Sequence, residues 1–311
     1  TAVMEVSRLT NSRLNTDLLT TLTADSLFGS IGFARLWETM GGTPVYWAAF
    51  VDGEIVALLP GVEFGRRPVK RFQSMPDGIY SRILSEARDH HARREMARAL
   101  LQAIAKTGYV KTYITDFHGL MEVPETYAAQ LCRTTIVDIS DKDWRPPNRR
   151  LRRYIRKAER EGMALERFQA DRHLEKFVSL MQATEQRHGQ KPRYPVKFFA
   201  ALAALAETDN RIIWYYCEHE GRPVVSHISF IDGDLALHWQ LYYDKTFSFL
   251  RANQFMLWKL VGELRRRGVR RLSLGASPPG ASGLVDYKAK WGGDEYTYNC
   301  YVHKSGLGRL L

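Results

Sequence analysis

Residues 211–243 read Arg211-Ile212-Ile213-Trp214-Tyr215-Tyr216-Cys217-Glu218-His219-Glu220-Gly221-Arg222-Pro223-Val224-Val225-Ser226-His227-Ile228-Ser229-Phe230-Ile231-Asp232-Gly233-Asp234-Leu235-Ala236-Leu237-His238-Trp239-Gln240-Leu241-Tyr242-Tyr243. Runs rich in β-branched and aromatic residues are broken by Glu220-Gly221 and Asp232-Gly233, pairs that suit tight hairpin turns. The spacing predicts an antiparallel meander of three strands, Arg211 to Glu218, Pro223 to Ile231 and Leu235 to Tyr243. Downstream, a helix from about Ala252 to Arg267 stops at Gly268 and leads to a strand over Arg270 to Leu274. A short helix follows within Gly283 to Gly293, then a last strand over Tyr296 to His303.

Upstream, residues 172–188 and Pro195 to Glu207 read as helices, after a strand over Ala164 to Phe168. The first half of the chain has the same grammar. An amphipathic helix over 31–40 precedes strands Val45 to Val51 and Glu54 to Phe64, joined by Asp52-Gly53. A short strand over Arg71 to Ser74, a helix over 89–107 and strands Tyr109 to Thr115 and Thr134 to Ile139 complete it. Ser140 to Asn148 reads as a linker, and a basic helix over 149–161 opens the second half. The expected fold class is α+β (α/β, three-layer), built from two copies of one unit over residues 1–140 and 141–311.

The 311 residues carry a formal charge of +11. Residues 148–161 contribute +5, and residues 265–271, with five arginines and no acid, contribute another +5. Basicity is therefore two patches. A solvated face, phosphate binding on a tRNA and contact with an anionic membrane surface are its three readings. The three cysteines, Cys132, Cys217 and Cys300, fit neither a disulfide framework nor a zinc pattern, so a reducing cytoplasm is the expectation. Thr1 to Asn15 is polar, without a signal-peptide core, and no apolar run is long enough to span a bilayer. No metal-binding motif, phosphate-cradling loop or nucleophile elbow is present.

Helical spacing in Gly283-Leu284-Val285-Asp286-Tyr287-Lys288-Ala289-Lys290-Trp291-Gly292-Gly293 puts Leu284, Tyr287 and Trp291 on one face, with Lys288 among them. Asp286 and Lys290 fall opposite as an expected solvated pair. A lysine on an apolar face reads either as a snorkelling stem or as a desolvated functional ammonium. His227 lies on the second strand of the meander, as a buried structural histidine or a base for an attacking amine. Strand alternation places His238 and Gln240 on one face, where either would line a cleft.

The order of elements over 211–303 resembles the GNAT acyltransferase core. Where that family has a glycine-bearing pyrophosphate loop, this chain has Asp244 to Asn253 without a glycine. Close backbone approach to a pyrophosphate favours glycine, so an ordinary coenzyme A site is not expected. Arg251-Ala252-Asn253-Gln254-Phe255-Met256-Leu257-Trp258, Leu274-Gly275-Ala276-Ser277, Gly283, Tyr287-Lys288 and Trp291-Gly292 resemble the FemAB-type aminoacyltransferases. So do the basic helix within 148–162 and Gln186-Arg187 with Gly189, Tyr194, Pro195, Phe198 and Phe199. The resemblance covers most of 145–303 and is looser over 1–135, where it rests on Leu59-Pro60 and Met75 to Tyr80.

That resemblance implies tandem GNAT-like domains, each a mostly antiparallel sheet flanked by helices, the first degenerate and either structural or acceptor-binding. It implies N-acyl transfer to an amine of a cell-envelope peptide or small molecule, with aminoacyl-tRNA as donor and no metal or redox cofactor. Lys288 would stabilise the oxyanion and Tyr287 would shape the pocket and relay a proton. Arg251 and Asn253, in the donor loop, read as contacts to a phosphate or to the 3′ end of a tRNA, and Arg187 reads equally as an acceptor-phosphate contact or a solvated helix end. The alternatives are an acyl-CoA or acyl-carrier donor, and a non-catalytic module that binds an envelope precursor.

Overall fold

A computed structural model describes residues 4–10, 16–277 and 280–310. The chain packs as two units, Thr1–Cys132 with Thr297–Leu311, and Arg133–Tyr296. Strands are β1 (Glu5–Leu9), β2 (Thr43–Val51), β3 (Glu54–Phe64), β4 (Arg71–Gln73), β5 (Lys111–Asp116), β6 (Ala128–Asp138), β7 (Leu165–Arg167), β8 (Ile212–His219), β9 (Arg222–Asp232), β10 (Leu235–Tyr243), β11 (Arg271–Ser273) and β12 (Asp294–Lys304). Helices are α1 (Thr16–Thr23), α2 (Ile31–Leu36), α3 (His90–Lys106), α4 (Arg149–Arg160), α5 (Ala170–Arg187), α6 (Val196–Thr208), α7 (Ala252–Arg266), α8 (Ser282–Ala289) and α9 (Gly306–Leu310).

From its first strand each unit runs through a strand, two helices, three strands, a helix and two more strands, and in the second unit α8 is inserted between those last two. Their sixth strands are exchanged along the chain. In the first unit the C-terminal half of β12 runs antiparallel beside β5, with Val302 opposite Tyr113. In the second unit the end of β6 runs antiparallel beside β11, with Val137 opposite Leu272. Residues 297–311 therefore pack with the first unit, whereas the sequence reading assigned them to the second. Strand exchange has no signature in hydrophobic periodicity, which reports faces and not partners.

In the first unit β2, β3 and β5 pack one face on α3, where Leu100, Leu101 and Ile104 are fully buried. The side chain of Asp89 caps α3 by accepting the Ala92 N–H at 2.9 Å. Asp52 and Gly53 both take positive φ in the β2–β3 turn, the geometry that matches strand twist. Glu63 is buried beneath this sheet and holds Arg8 at 2.6 Å, Lys70 at 2.6 Å and the Tyr109 hydroxyl. Burial alone would raise its pKa, but the hydrogen bonds from Arg8, Lys70 and Tyr109 outweigh that and hold it near about 2.

In the second unit the sheet is sandwiched. One face meets α5 and α6 through an aromatic cluster, in which Phe168 stacks on Trp214 at 3.8 Å and Phe177 meets Trp214, Phe199 and Tyr242 edge-on. The other face meets α4 and α7 through Ile213, Val225, Leu151, Ile155, Met256 and Leu260. The β8–β9 turn is Glu220-Gly221, both at positive φ. Asp232 and Leu235 pair, so the β9–β10 turn is Gly233-Asp234, one residue later than the sequence pairing suggested. Gly233 supplies the positive φ that the first turn position needs.

Candidate active site

The expected helix over 283–293 is α8, running from Ser282 to Ala289 and leaving Trp291 beyond its end. Pro278 and Pro279 of the loop before it lie outside the described residues. Trp291 is buried in the core, but Leu284 and Val285 are 39 % and 51 % exposed. The face expected to be covered is thus open at its first turn. Leu284 and Val285 instead line two separate cavities. One, of about 340 Å³, is lined by Leu284, Tyr287 and the start of α7. The other, of about 530 Å³, is lined by Val285, Asp286, Ser277 and Glu295.

Lys288 is 4 % exposed and sits beneath α8. Its Nζ donates to Gly275 O at 2.6 Å, Ala276 O at 2.9 Å and Ser277 Oγ at 3.0 Å. All three ammonium protons are engaged, so the snorkelling reading fails: the charge is held inward. Burial lowers its pKa from 10.5 to about 8. The Tyr287 hydroxyl meets no well-formed hydrogen-bond partner among the described residues, and burial, partly offset by the Trp291 indole beside it, raises its pKa to about 12. The expected Asp286–Lys290 ion pair is not formed among the described residues. Both side chains are exposed, and Asp286 faces the larger cavity.

His227 is completely buried on the α7 side of β9. Its Nε2 donates to Asn253 Oδ1 at 2.8 Å, which makes Nδ1 the unprotonated nitrogen, and Nδ1 meets no partner among the described residues. Burial first, and His238 second, hold its pKa well below normal. The His238 ring lies 4.5 Å away and its Nδ1 meets Ser229 Oγ at 3.2 Å. Burial and the Lys288 charge bring its pKa to about 4. Both imidazoles are neutral at pH 7, and neither is a strong base.

His238 and Gln240 do not share a face. A β-bulge at Trp239 places His238 opposite Ser229 and Gln240 opposite Ile228. The extra residue turns Gln240 to the aromatic side, away from the histidines, and local bulging breaks the alternation that the sequence suggested.

Asn253 lies in the first turn of α7. The helix N-cap is Arg251, at φ 59° in the left-handed region, and no side chain caps the helix. The position where glycine is usual is thus filled by an arginine whose guanidinium stacks on Tyr154 at 4.2 Å. The first turn of α7, whose N–H groups no side chain caps, lies at the smaller cavity, which Arg251, Ala252, Asn253 and Gln254 line. Arg187 is anchored nearby. It donates to Tyr243 O at 3.0 Å and stacks on the Tyr243 ring at 4.2 Å, and Tyr243 lines the same cavity.

Ser277 was quoted in the sequence without a role. Sequence reading missed it because its importance comes from the Lys288 contact, and a hydroxyl after a strand end carries no distinctive pattern. His173 is also buried, but its Nδ1 accepts the Gln169 N–H and its ring stacks on Tyr216, a structural arrangement.

The basic patches separate. Arg149, Arg153, Arg156 and Arg160 recur at helical spacing along α4, are exposed and meet no ion-pair partner among the described residues. In the second patch Arg265 binds Lys142 O, Arg267 binds Glu263 and Asn210 O, and Arg271 pairs with Asp234. That patch is largely spent on the fold. No group of residues able to hold a metal ion is found among the described residues, and none of their helices is long and apolar enough to cross a membrane.

Residues 147–289 match the acetyltransferase (GNAT) domain family. The match covers a little under half of the chain, all of it within the second unit. The crystal structure of FemX superposes with a TM-score of 0.71 at 14% identity, covering 98% of this chain and 99% of FemX. The C-terminal domain of a putative lysylphosphatidylglycerol synthetase from Agrobacterium fabrum gives a TM-score of 0.60 at 11% identity, with 94% and 93% covered. A tandem GNAT protein from the clavulanic acid biosynthesis pathway gives 0.56 at 12% identity, with 98% and 99% covered. These likenesses show that the chain has a tandem GNAT fold of the FemX kind, as its sequence resemblance suggested. No curated protein matches the sequence.

Proposed function

We propose that the second unit transfers an aminoacyl group from aminoacyl-tRNA to an amine of a cell-envelope peptide or small molecule. The observation that carries this is a buried ammonium, Lys288, hydrogen-bonded to a serine that lines a cavity. Ser277 Oγ accepts from Lys288, and with no acceptor for its own O–H among the described residues that proton can go to a ligand. An oxyanion held by that hydroxyl would feel the lysine charge through a single bond.

The donor end occupies the smaller cavity, with Arg251 and the uncapped first turn of α7 suited to a phosphate. Its apolar wall, Leu241, Phe247 and Leu284, suits the body of an aminoacyl group. The ester carbonyl has to reach from there to Ser277 in the larger cavity, where the amine acceptor enters beside Asp286 and Glu295. The amine nitrogen attacks the ester carbonyl carbon, and the carbonyl oxygen becomes the oxyanion. Collapse breaks the bond to the ribose oxygen, which takes the proton shed by the nitrogen; Tyr287, which lines the smaller cavity, would relay it. His227 and His238, being neutral and buried, hold Asn253 and the sheet in register instead of acting as bases.

The arginine stripe on α4 supports a polyanionic donor. The first unit has no helix between β5 and β6, so it has no counterpart of Lys288, and its role is support or acceptor binding. An acyl-CoA donor is the competing reading, favoured by the uncapped helix end and opposed by the glycine-free turn. Filter binding of aminoacyl-tRNA beside thermal shift with acetyl-CoA separates them. Stabilisation by acetyl-CoA with no aminoacyl-tRNA bound would reverse the choice. A module that binds both donor and acceptor without turnover would be the non-catalytic reading.

A further inference from the structure

In the first unit, Cys132 on β6 and Cys300 on β12 bring their sulfur atoms to 2.8 Å, although 168 positions separate them in sequence. That is closer than two unbonded sulfur atoms ordinarily sit, and a disulfide needs only about 2.05 Å. The strands are neighbours, so the Cβ atoms already stand on adjacent backbones. Cys132 is partly exposed, while Cys300 is buried opposite Thr115. Both cysteines are free. Burial and the Cys132 contact keep the Cys300 thiol protonated at ordinary pH.

We propose that Cys132 and Cys300 are an oxidation site that closes to an intramolecular disulfide under a peroxide-class oxidant. The partly exposed Cys132 sulfur takes one peroxide oxygen to become a sulfenic acid, and water leaves. The Cys300 sulfur then attacks the Cys132 sulfur; the S–S bond forms, the S–OH bond breaks, and hydroxide leaves with the Cys300 proton as a second water. One peroxide and two thiols give one disulfide and two waters, so no further reactant is needed. The resolving sulfur is already in contact with the sulfenic sulfur, so the attack needs no strand movement and waits only on loss of the Cys300 proton. Cys217 is the internal control. It is buried on β8 in the second unit, with its Sγ near Glu218 O at 3.7 Å and burial raising its pKa to about 11.

The inference is independent of the transfer reaction. Its test is intact mass and non-reducing peptide mapping of the full chain, before and after hydrogen peroxide and again after dithiothreitol. The expected product is monomeric, lighter by two hydrogen atoms, and contains a Cys132–Cys300 cross-linked peptide. Cys217 remains alkylatable, and dithiothreitol reverses the change. The oxidised protein melts at a higher temperature than the reduced one, because the bond closes a long loop. Cys132→Ser and Cys300→Ser each abolish the mass loss, and Cys217→Ser leaves it unchanged. Overoxidation of Cys132 without a cross-link, disulfide-linked dimers, or full alkylation of both thiols after peroxide would each overturn the proposal.

Discussion

Lys288 Nζ donates to Ser277 Oγ at 3.0 Å while two backbone carbonyls take its other protons. The lysine cannot turn to a ligand without giving up one of these bonds, whereas the serine hydroxyl has a proton to offer. The two residues therefore divide the work: Lys288 supplies charge and fixes the loop, and Ser277 faces the cavity.

Ser277→Ala is expected to lower kcat by about 10²–10³-fold, the cost of one oxyanion donor, with little change in KM or melting temperature. Steady-state kinetics with thermal unfolding as a control checks this. A rise in KM alone would mean that Ser277 only binds ground-state substrate.

Lys288→Met should cost both activity and stability. It strips a donor from Gly275 O, Ala276 O and Ser277 Oγ, and leaving buried acceptors unpaired costs about 1–3 kcal/mol each. Denaturant unfolding measures that loss. Stability unchanged in the variant would contradict the observed hydrogen bonds.

The depressed Lys288 pKa has a sign that can be checked. Its unfolded value is 10.5 and its folded value about 8, so the unfolded chain holds more protons between them. Stability contributed by this residue therefore rises with pH through that window, and Lys288→Met should flatten the rise. Activity should move the other way, falling as pH passes about 8 and the ammonium is lost. A rate that climbs through that pH because of Lys288 would make it a base.

In the first unit the sign is reversed. Glu63 sits near about 2 when folded against 4.5 unfolded, so its stabilisation is full above 4.5 and is lost as pH falls toward 2. Glu63→Gln should remove much of that acid sensitivity and lower stability at neutral pH, because Arg8 and Lys70 lose the carboxylate they share. Unfolding curves across that pH range decide it.

Much of the fold was legible because turns and faces are local. Glu220-Gly221 and Asp52-Gly53 marked their hairpins, and Gly268 marked the end of α7. The N-terminal strand β1, the helix α1 and the C-terminal α9 were not seen, since short polar segments carry little periodicity. The bulge at Trp239 and the exchange of β6 and β12 depend on partners far away in sequence. At the site, Lys288 stood out as a lysine among apolar residues. What it touches did not, because two of its three acceptors are backbone carbonyls, which every residue has.

The α4 stripe gives a separable expectation. Replacing Arg153 and Arg156 by Ala should weaken tRNA binding and reduce the salt slope by about 2, without affecting stability. Replacing Arg267 should destabilise the fold instead, because it bridges Glu263 and Asn210. Equal effects on binding from both sites would merge the two patches again.

The most direct measurement is transfer of a labelled aminoacyl group from tRNA to an amine-bearing envelope precursor, comparing wild type with Ser277→Ala and Lys288→Met. Label should move to the acceptor amine with the wild type and about 10²–10³-fold more slowly with folded Ser277→Ala, with Lys288→Met slower still. Transfer at the wild-type rate by both folded variants would contradict the assignment of this pair to the reacting centre.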